Sequence, residues 1–175
     1  MEDCFRCSLS KSRTRIVNGS GPKSARIVLV GEAPGEQEDL KGVPFVGRAG
    51  RFLDSVLAEV GLERSRVFIT NVVRCRPPSN RKPREDEVER CFSYLAAELR
   101  ELRPKIVVAL GSVALKALTG RTGRLSAMIG KEFESESAGM DLVVIACYHP
   151  SAAMRNRKMR DSFKAVLSKA ASRID

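Results

Sequence analysis

The sequence of 175 residues has no tryptophan, a single histidine, and no apolar run long enough to cross a membrane. Its longest apolar runs, such as LVVIAC, are far shorter than the roughly 20 residues that span a bilayer, and the N-terminus lacks the apolar core of a signal peptide. Acidic residues are also scarce: 21 Asp and Glu stand against 31 Lys and Arg, a net charge of +10. We therefore expect a cytoplasmic protein without membrane contact whose partners are polyanions, nucleic acid first.

Five cysteines in a reducing compartment argue against a disulfide framework, and so does their odd number. Cys4 and Cys7 form a CxxC pair, Cys75 follows a predicted strand, and Cys91 lies in the next predicted helix. If the N-terminal segment folds back over that corner, four thiolates meet, and such a set suits Zn²⁺ and a [4Fe–4S] cluster equally. The alternative is a CxxC redox pair plus two buried structural cysteines. Cys147, inside an apolar strand, is predicted to be a core residue.

Four short β-branched runs alternate with amphipathic helical patterns along the chain. Their near-continuous apolar character predicts parallel strands covered on both faces, at 26–30, 67–73, 105–110 and 142–148. Helical spacing of apolar residues predicts helices within 49–60, 83–102, 112–118, where Ser112 is the expected cap, and 161–173. The sequence thus predicts one α/β domain over 1–175, a three-layer α/β/α fold with a four-stranded parallel sheet, which begins with an irregular segment at 1–25.

Glycine-rich or polar residues follow each predicted strand. The stretch GEAPGEQEDLKGVPFVGRAG, 31–50, follows the first, Asn71 ends the second, Gly111 and Ser112 follow the third, and His149 follows the fourth. Because ligands bind beyond the carboxyl ends of the strands in such sheets, these residues predict one ligand site. Neither GxxxxGK[ST] nor GxGxxG occurs, so a nucleotide cofactor is not indicated.

The motifs GEAPGEQED, GVPFVGRAG, TNVVRCRPP and YHPS, with the cysteines at 4, 7, 75 and 91, resemble the family-four uracil-DNA glycosylases, the iron–sulfur, thermophile-type branch. The resemblance extends from Cys4 to the last predicted helix. It implies a monomeric base-excision-repair enzyme that flips uracil out of double- or single-stranded DNA and hydrolyses its N-glycosidic bond, which leaves an abasic site. It also implies a structural [4Fe–4S] cluster on Cys4, Cys7, Cys75 and Cys91. The sequence carries no prediction about a sliding-clamp contact.

The resemblance assigns roles in a uracil pocket. Phe45 stacks on the base, and Asn71 accepts from uracil N3–H and donates to O4. His149 donates to O2 as negative charge develops on the leaving base, and backbone N–H groups in the turn from Glu32 through Ala33 to Pro34, except that proline has none, hold the carbonyls. Since the only histidine is the one in YHPS, the histidine-bearing insertion of the covalently trapping relatives is absent, which favours a monofunctional hydrolase.

The group that activates the water is less well defined. Family-one enzymes carry an aspartate where Ala33 stands, so their usual base is missing. Glu32 and Glu38 are the candidates, and Glu32 is preferred because it directly follows the first strand. Glu36 and Asp39 are expected to be solvated. A leaving-group-driven mechanism with weak water activation is the alternative.

Two basic segments are predicted to contact DNA phosphates. The loop after Cys75 offers Arg76, Arg81, Lys82 and Arg84. After YHPS, Met154 is the candidate wedge, and the cations that would grip the backbone are Arg155, Arg157, Lys158 and Arg160. Ala152 and Ala153 stand where the family often has bulkier apolar residues. Two other functions fit the charge and the cysteines alone: a non-catalytic metal-stabilised nucleic-acid-binding module, and an iron–sulfur redox protein.

Overall fold

The computed structural model describes residues 3–174, so residues 1, 2 and 175 of the predicted domain lie outside the described part. Five strands form one sheet in the order β2-β1-β3-β5-β4. They are β1 (Ile27–Gly31), β2 (Val67–Asn71), β3 (Ile106–Leu110), β4 (Glu132–Ser135) and β5 (Leu142–Cys147). The helices are α1 (Glu36–Lys41), α2 (Arg48–Glu59), α3 (Glu85–Leu102), α4 (Ser112–Thr119), α5 (Pro150–Ala153) and α6 (Arg157–Ser172).

The four predicted strands are β1, β2, β3 and β5, and they pair in parallel. The predicted count of four is wrong, because β4 adds a fifth strand that pairs antiparallel with β5 at the edge of the sheet. Its sequence, EFES, is short and charged, and none of its residues is buried. Sequence patterns did not reveal this strand because it has no apolar run. It lies at the edge of the sheet, with a neighbouring strand on one side only.

Alternate residues of the central strands pack into two cores. Val28 and Val30 of β1 face a core closed by α3 and α4, which contribute residues such as Leu95 and Leu115. The other side of the same strand faces a core closed by α2 and α6. The three layers predicted from the sequence are therefore confirmed. Cys147 is fully buried in the second core, as predicted.

The N-terminal segment predicted to be irregular contains short ordered pieces. Residues Ser8–Lys11 form a 3₁₀ turn, and Leu9 inserts into the core on the α3 side with 1% of its surface exposed. Further on, Ser20 forms an antiparallel bridge with Ile69 of β2. These contacts bring the segment that carries Cys4 and Cys7 to the β2 side of the sheet.

Two helix predictions need correction at the carboxyl end of the sheet. The glycine-rich stretch contains α1, which sequence periodicity did not reveal because it is only six residues long. Ser112 is the first residue of α4 and not its cap; Gly111 holds the cap position with φ 103°, a left-handed conformation that side chains rarely adopt. No helix within residues 3–174 is both long and apolar enough to span a bilayer.

Candidate active site

A cavity of about 520 Å³ opens at the carboxyl end of the sheet, where β1 and β3 lead to helices on opposite faces. Its size lies within the range of roughly 300–1,000 Å³ that is usual for small-ligand pockets. The structure brings together there all seven residues assigned to the uracil pocket: Glu32, Ala33, Pro34, Glu38, Phe45, Asn71 and His149. Asn71 at the end of β2 and residues that follow β1, β2, β3 and β5 thus form one site, as the strand-end rule predicts.

Asn71 forms the floor of the cavity at the end of β2. Only 1% of its surface is exposed, yet neither Oδ1 nor Nδ2 has a hydrogen-bond partner among the described residues. A buried amide without partners costs about 1–3 kcal/mol. Gly31 leaves the space that Asn71 occupies, because a Cβ there would lie 2.4 Å from Asn71 Oδ1. The fold therefore holds an unsatisfied donor and acceptor side by side against the cavity.

Phe45 forms a wall of the cavity beside His149, with ring centroids 5.9 Å apart. Its backbone is left-handed, with φ 51°, which is costly for an aromatic residue and persists only where neighbours enforce it. Arg64 supplies part of that enforcement: its guanidinium donates to the carbonyls of Phe45 (3.1 Å) and Pro44 (2.7 Å) and pairs with Asp54. Sequence reasoning missed Arg64, because an arginine beside a 3₁₀ turn looks like any solvated cation.

His149 is the N-cap of α5, and its Nδ1 accepts from the backbone N–H of Ser151 at 3.2 Å. The Ser151 hydroxyl lies 2.7 Å from the same nitrogen. Because Nδ1 is an acceptor, the neutral ring carries its proton on Nε2. Burial lowers the pKa of His149 to about 4, an effect that the nearby Glu38 charge partly opposes. The imidazole is therefore neutral at physiological pH and keeps one N–H for a ligand.

The four carboxylates of the glycine-rich stretch have different surroundings. Glu32 is half-buried, and burial raises its pKa while the Lys82 charge opposes the rise. Glu38 accepts three backbone N–H groups, from Gly35 (3.1 Å), Val46 (2.9 Å) and Gly47 (2.7 Å). It therefore ties the turn after β1 to the loop that carries Phe45.

The expectation that Asp39 is solvated is wrong. Its carboxylate is 2% exposed and accepts from the backbone N–H groups of Thr14 and Arg15. The N-terminal segment packs over α1 and covers it, a tertiary contact that the local sequence does not encode. Glu36 is exposed and lies 3.9 Å from Arg76.

The basic loop after Cys75 forms the outer wall of the cavity through Pro77, Asn80, Arg81 and Lys82. Asn80 was missed by sequence reasoning, although an Asn after Ser in a proline-rich loop is a frequent left-handed turn residue; its φ is 53°. Its Oδ1 accepts from Arg76 Nε at 2.8 Å.

The remaining predicted DNA contacts lie outside the cavity. Met154 is half-buried at the end of α5, and Arg155 and Arg157 are exposed beside it around a shallow surface depression. Arg84 is exposed before α3, and Arg160 is held by Glu59 at 2.7 Å. Ser151 and Ala152 line the cavity, so the segment that carries the exposed Arg155 and Arg157 borders it.

Cys4, Cys7, Cys75 and Cys91 line one small cavity between the N-terminal segment and α3. Donors reach two of the sulfurs: the backbone N–H of Arg74 lies 3.3 Å from Cys91 Sγ, and Arg13 lies 3.6 Å from Cys75 Sγ. Burial raises the pKa of Cys75 and raises that of Cys91 to about 11. Burial acts against ionisation of Cys4 as well, but the Tyr94 hydroxyl and neighbouring cations outweigh it and lower the pKa of Cys4.

The four cysteines thus lie together, as predicted, because they line the same cavity. Within residues 3–174, however, no three His, Cys, Asp or Glu side chains form a group that could hold a metal ion. Four thiolates around one Zn²⁺ at about 2.3 Å would lie only about 3.8 Å apart. A four-iron cluster spaces its cysteines farther apart, because each thiolate binds a different iron.

Sequence comparison identifies the class to which this fold and site belong. The sequence model described as the uracil DNA glycosylase superfamily matches residues 18–171. That match includes the turn after β1, Asn71, the basic loop and His149, which are the residues that form the cavity. The chain belongs to the uracil DNA glycosylase superfamily.

Within the superfamily, the chain is similar to named type-4 uracil-DNA glycosylases. The one from Archaeoglobus fulgidus is 44% identical over 170 residues, which cover 95% of this chain and 85% of the relative. The one from Thermotoga maritima is 41% identical over 158 residues, 90% of this chain and 81% of the relative. A type-5 uracil-DNA glycosylase from Pyrobaculum aerophilum is 36% identical over 146 residues, 75% of this chain and 63% of the relative. The family-four resemblance seen in the motifs is confirmed.

Proposed function

We propose that this protein is a monofunctional glycosylase that flips uracil out of DNA and hydrolyses its N-glycosidic bond, leaving an abasic site for base excision repair. The observation that carries this function is the amide of Asn71, which has no hydrogen-bond partner in the described part of the chain and lies in a cavity walled by Phe45. Uracil presents N3–H and O4 side by side, so one base satisfies both orphaned atoms. Cytosine presents an unprotonated N3 beside an amino group and reverses this pattern.

His149 stabilises the leaving base. As the glycosidic bond breaks, negative charge develops on the uracil O2 side, and a donor placed there lowers the barrier. The neutral imidazole offers its Nε2–H, while Ser151 holds Nδ1 and so fixes the ring. A neutral donor suits this task, because the ring need not lose or gain a proton during the step.

We assign Glu32 as the group that activates the attacking water. Its carboxylate lines the cavity and has a pKa raised by burial, which brings a carboxylate closer to the proton affinity of a useful general base. Glu38 is engaged by three backbone N–H groups, and we assign it to holding the turn and the Phe45 loop together. We assign the backbone N–H groups of Glu32 and Ala33, in the turn that ends at Pro34, to the uracil carbonyls.

Phosphates flank the cavity on two sides in this proposal. Lys82 at its rim, with Arg76 and Arg84 of the same loop, contacts one part of the strand. Arg155 and Arg157, next to Met154 as the candidate wedge, contact the duplex on the other side. Such a protein works as a monomer, and either double- or single-stranded uracil-containing DNA can supply the flipped base.

We assign a [4Fe–4S] cluster to the four cysteines. All four line one cavity, which suits a cluster that takes four thiolate ligands, and N–H donors and cations near the sulfurs compensate their charge. Cys4 and Cys7 from the N-terminal segment, with Cys75 and Cys91 from the body of the domain, would hold it. When bound, it would supply a structural staple that fixes the start of the basic loop.

A strand-cleavage assay tests the glycosylase. Purified protein should release uracil from an oligonucleotide with one U·G pair and from the same strand alone, so that alkali then cuts at that position. An oligonucleotide with cytosine at the same position is the matched control and should stay intact. If neither uracil substrate is cut, the proposed function is wrong, and binding that is indifferent to uracil would identify a non-catalytic nucleic-acid-binding module.

The cluster is tested by spectroscopy and metal analysis rather than by activity. Protein purified without oxygen should absorb broadly at about 400 nm and contain about four irons per chain. Cys91→Ser should lose this absorbance and melt at a lower temperature, whereas Cys147→Ala, in the opposite core, should keep the absorbance. Colourless wild-type protein with about one zinc per chain would contradict the assignment.

A further inference from the structure

We propose that Glu87 is a positioning residue that holds the loop 77–84 in the conformation that forms the outer wall of the cavity. The inference deepens the proposed function and rests on it for its kinetic effect. Glu87 itself lies in the first turn of α3 and lines no part of the cavity, and no sequence motif singled it out.

The Glu87 carboxylate is fully buried and accepts four hydrogen bonds. The Arg81 guanidinium donates to both oxygens, at 2.7 and 2.8 Å. The Ser8 hydroxyl donates at 2.8 Å and the backbone N–H of Arg84 at 2.7 Å. The Arg81 hydrogen bonds lower the pKa of Glu87 to about 2, so its charge is constant at any working pH. One carboxylate thus joins the loop, the start of α3 and the N-terminal segment.

The loop needs such a clamp because its backbone is not a low-energy conformation. Ser79 and Asn80 are consecutive non-glycine residues with φ of 52° and 53°. A left-handed residue costs about 1–2 kcal/mol, although Asn adopts this region more readily, and contacts of the neighbouring side chains help to hold two such residues in succession. Arg76 holds Asn80 on one side of the turn, and Glu87 holds Arg81 on the other.

This geometry gives Arg81 a different task from its neighbour Lys82. Both line the cavity, but Arg81 already spends the Nη1–Nη2 edge of its guanidinium on the bidentate pair with Glu87. Arg81 also donates to the carbonyl of Lys82 at 2.9 Å. The Arg81–Glu87 pair therefore positions Lys82 at the cavity wall. We assign the DNA contact of this wall to Lys82.

The test compares Glu87→Gln with Glu85→Gln, the same chemical change two residues away. Glu85 is exposed and, within residues 3–174, pairs only with Lys116 on the surface. Glu87→Gln should raise KM for uracil-containing DNA about tenfold, about 1.4 kcal/mol, because binding must then order the loop. Its kcat should stay within about twofold of wild type, since the saturated complex has the wall in place. Glu85→Gln should leave both constants unchanged.

A substitution that only damages the fold would change the two kinetic constants in the opposite way. It lowers the concentration of active enzyme, and so kcat, while KM is kept. That result, or an unchanged KM, would overturn the proposal. A double-mutant cycle with Arg81→Gln adds a second criterion: if the two residues act as one unit, the double variant has the KM of either single variant, whereas additive effects would show that Arg81 contacts DNA independently.

Hydrogen exchange of the peptide covering 77–84 tests the positioning without any need for activity. Glu87→Gln should speed its exchange about tenfold, and Glu85→Gln should not. If the wild-type protein proves inactive on uracil, the proposed function fails while this measurement still decides whether Glu87 holds the loop. Unchanged exchange in Glu87→Gln would overturn the positioning role even in a fully active enzyme.

Discussion

Replacing His149 with leucine is expected to lower kcat for uracil release by about 10²–10³-fold, with KM for DNA within about threefold of wild type. The reason is that the Nε2–H acts only when charge develops on the base, so its removal costs transition-state stabilisation and little binding. His149→Gln restores an N–H donor with less suitable geometry, so it should lose only about 10–10²-fold. Single-turnover release of labelled uracil measures the series, and equal losses for both variants would contradict the donor role.

The pH dependence of stability provides a second test of the role of His149. With a native pKa of about 4 against about 6.5 in the unfolded chain, the folded protein resists protonation. Stability is therefore lost as pH falls from 6.5 towards 4, by at most about 3 kcal/mol. His149→Leu should flatten this part of the pH profile of the free energy of unfolding. A kcat that rises as pH falls through 6.5 would instead indicate that a protonated His149 is the active form.

Strong local patterns explain why the sequence predicted the parallel sheet. The strands within the runs RIVLV, VFITNVV, KIVVAL and LVVIACY are buried almost throughout on both faces, so most of their residues had to be apolar. The location of the site followed from the same pattern, because the carboxyl ends of parallel strands share one edge. For that reason, the sequence alone could place Asn71 and His149 in the same site.

What sequence reasoning missed depends on contacts between distant segments. The carboxylates of Asp39 and Glu87 are both buried under the N-terminal segment, by Thr14 and Arg15 in one case and Ser8 in the other. Arg64 holds the Phe45 backbone from 19 residues away. Each of these residues is polar and lies in a polar stretch, so only the tertiary fold distinguishes it from a solvated side chain. Sequence could therefore identify the groups that would touch uracil, but not those that hold them.

Replacing Asn71 with leucine is expected to abolish detectable uracil release, a loss of at least about 10³-fold, and at the same time to stabilise the protein by about 1–3 kcal/mol. The activity is lost because the amide is the group that pairs with N3–H and O4. Stability rises because two buried polar atoms that have no partner among the described residues are replaced by an apolar side chain with the same branching. Chemical denaturation and the strand-cleavage assay on the same preparations measure both effects.

Thr70→Val is the matched control, because Thr70 precedes Asn71 on the same strand and is equally buried. Its hydroxyl donates to Glu98 at 2.9 Å and is in contact with the Arg74 guanidinium, which pairs with Glu98. Its removal takes away the partner of the buried Arg74 Nη1 and one of the donors to Glu98, so Thr70→Val should destabilise the protein by about 1–3 kcal/mol and keep its activity. The two substitutions make the same polar-to-apolar change one residue apart, with opposite effects on stability. If Asn71→Leu destabilised the protein as Thr70→Val does, the amide would be part of the core's own hydrogen bonding and would not be reserved for the base.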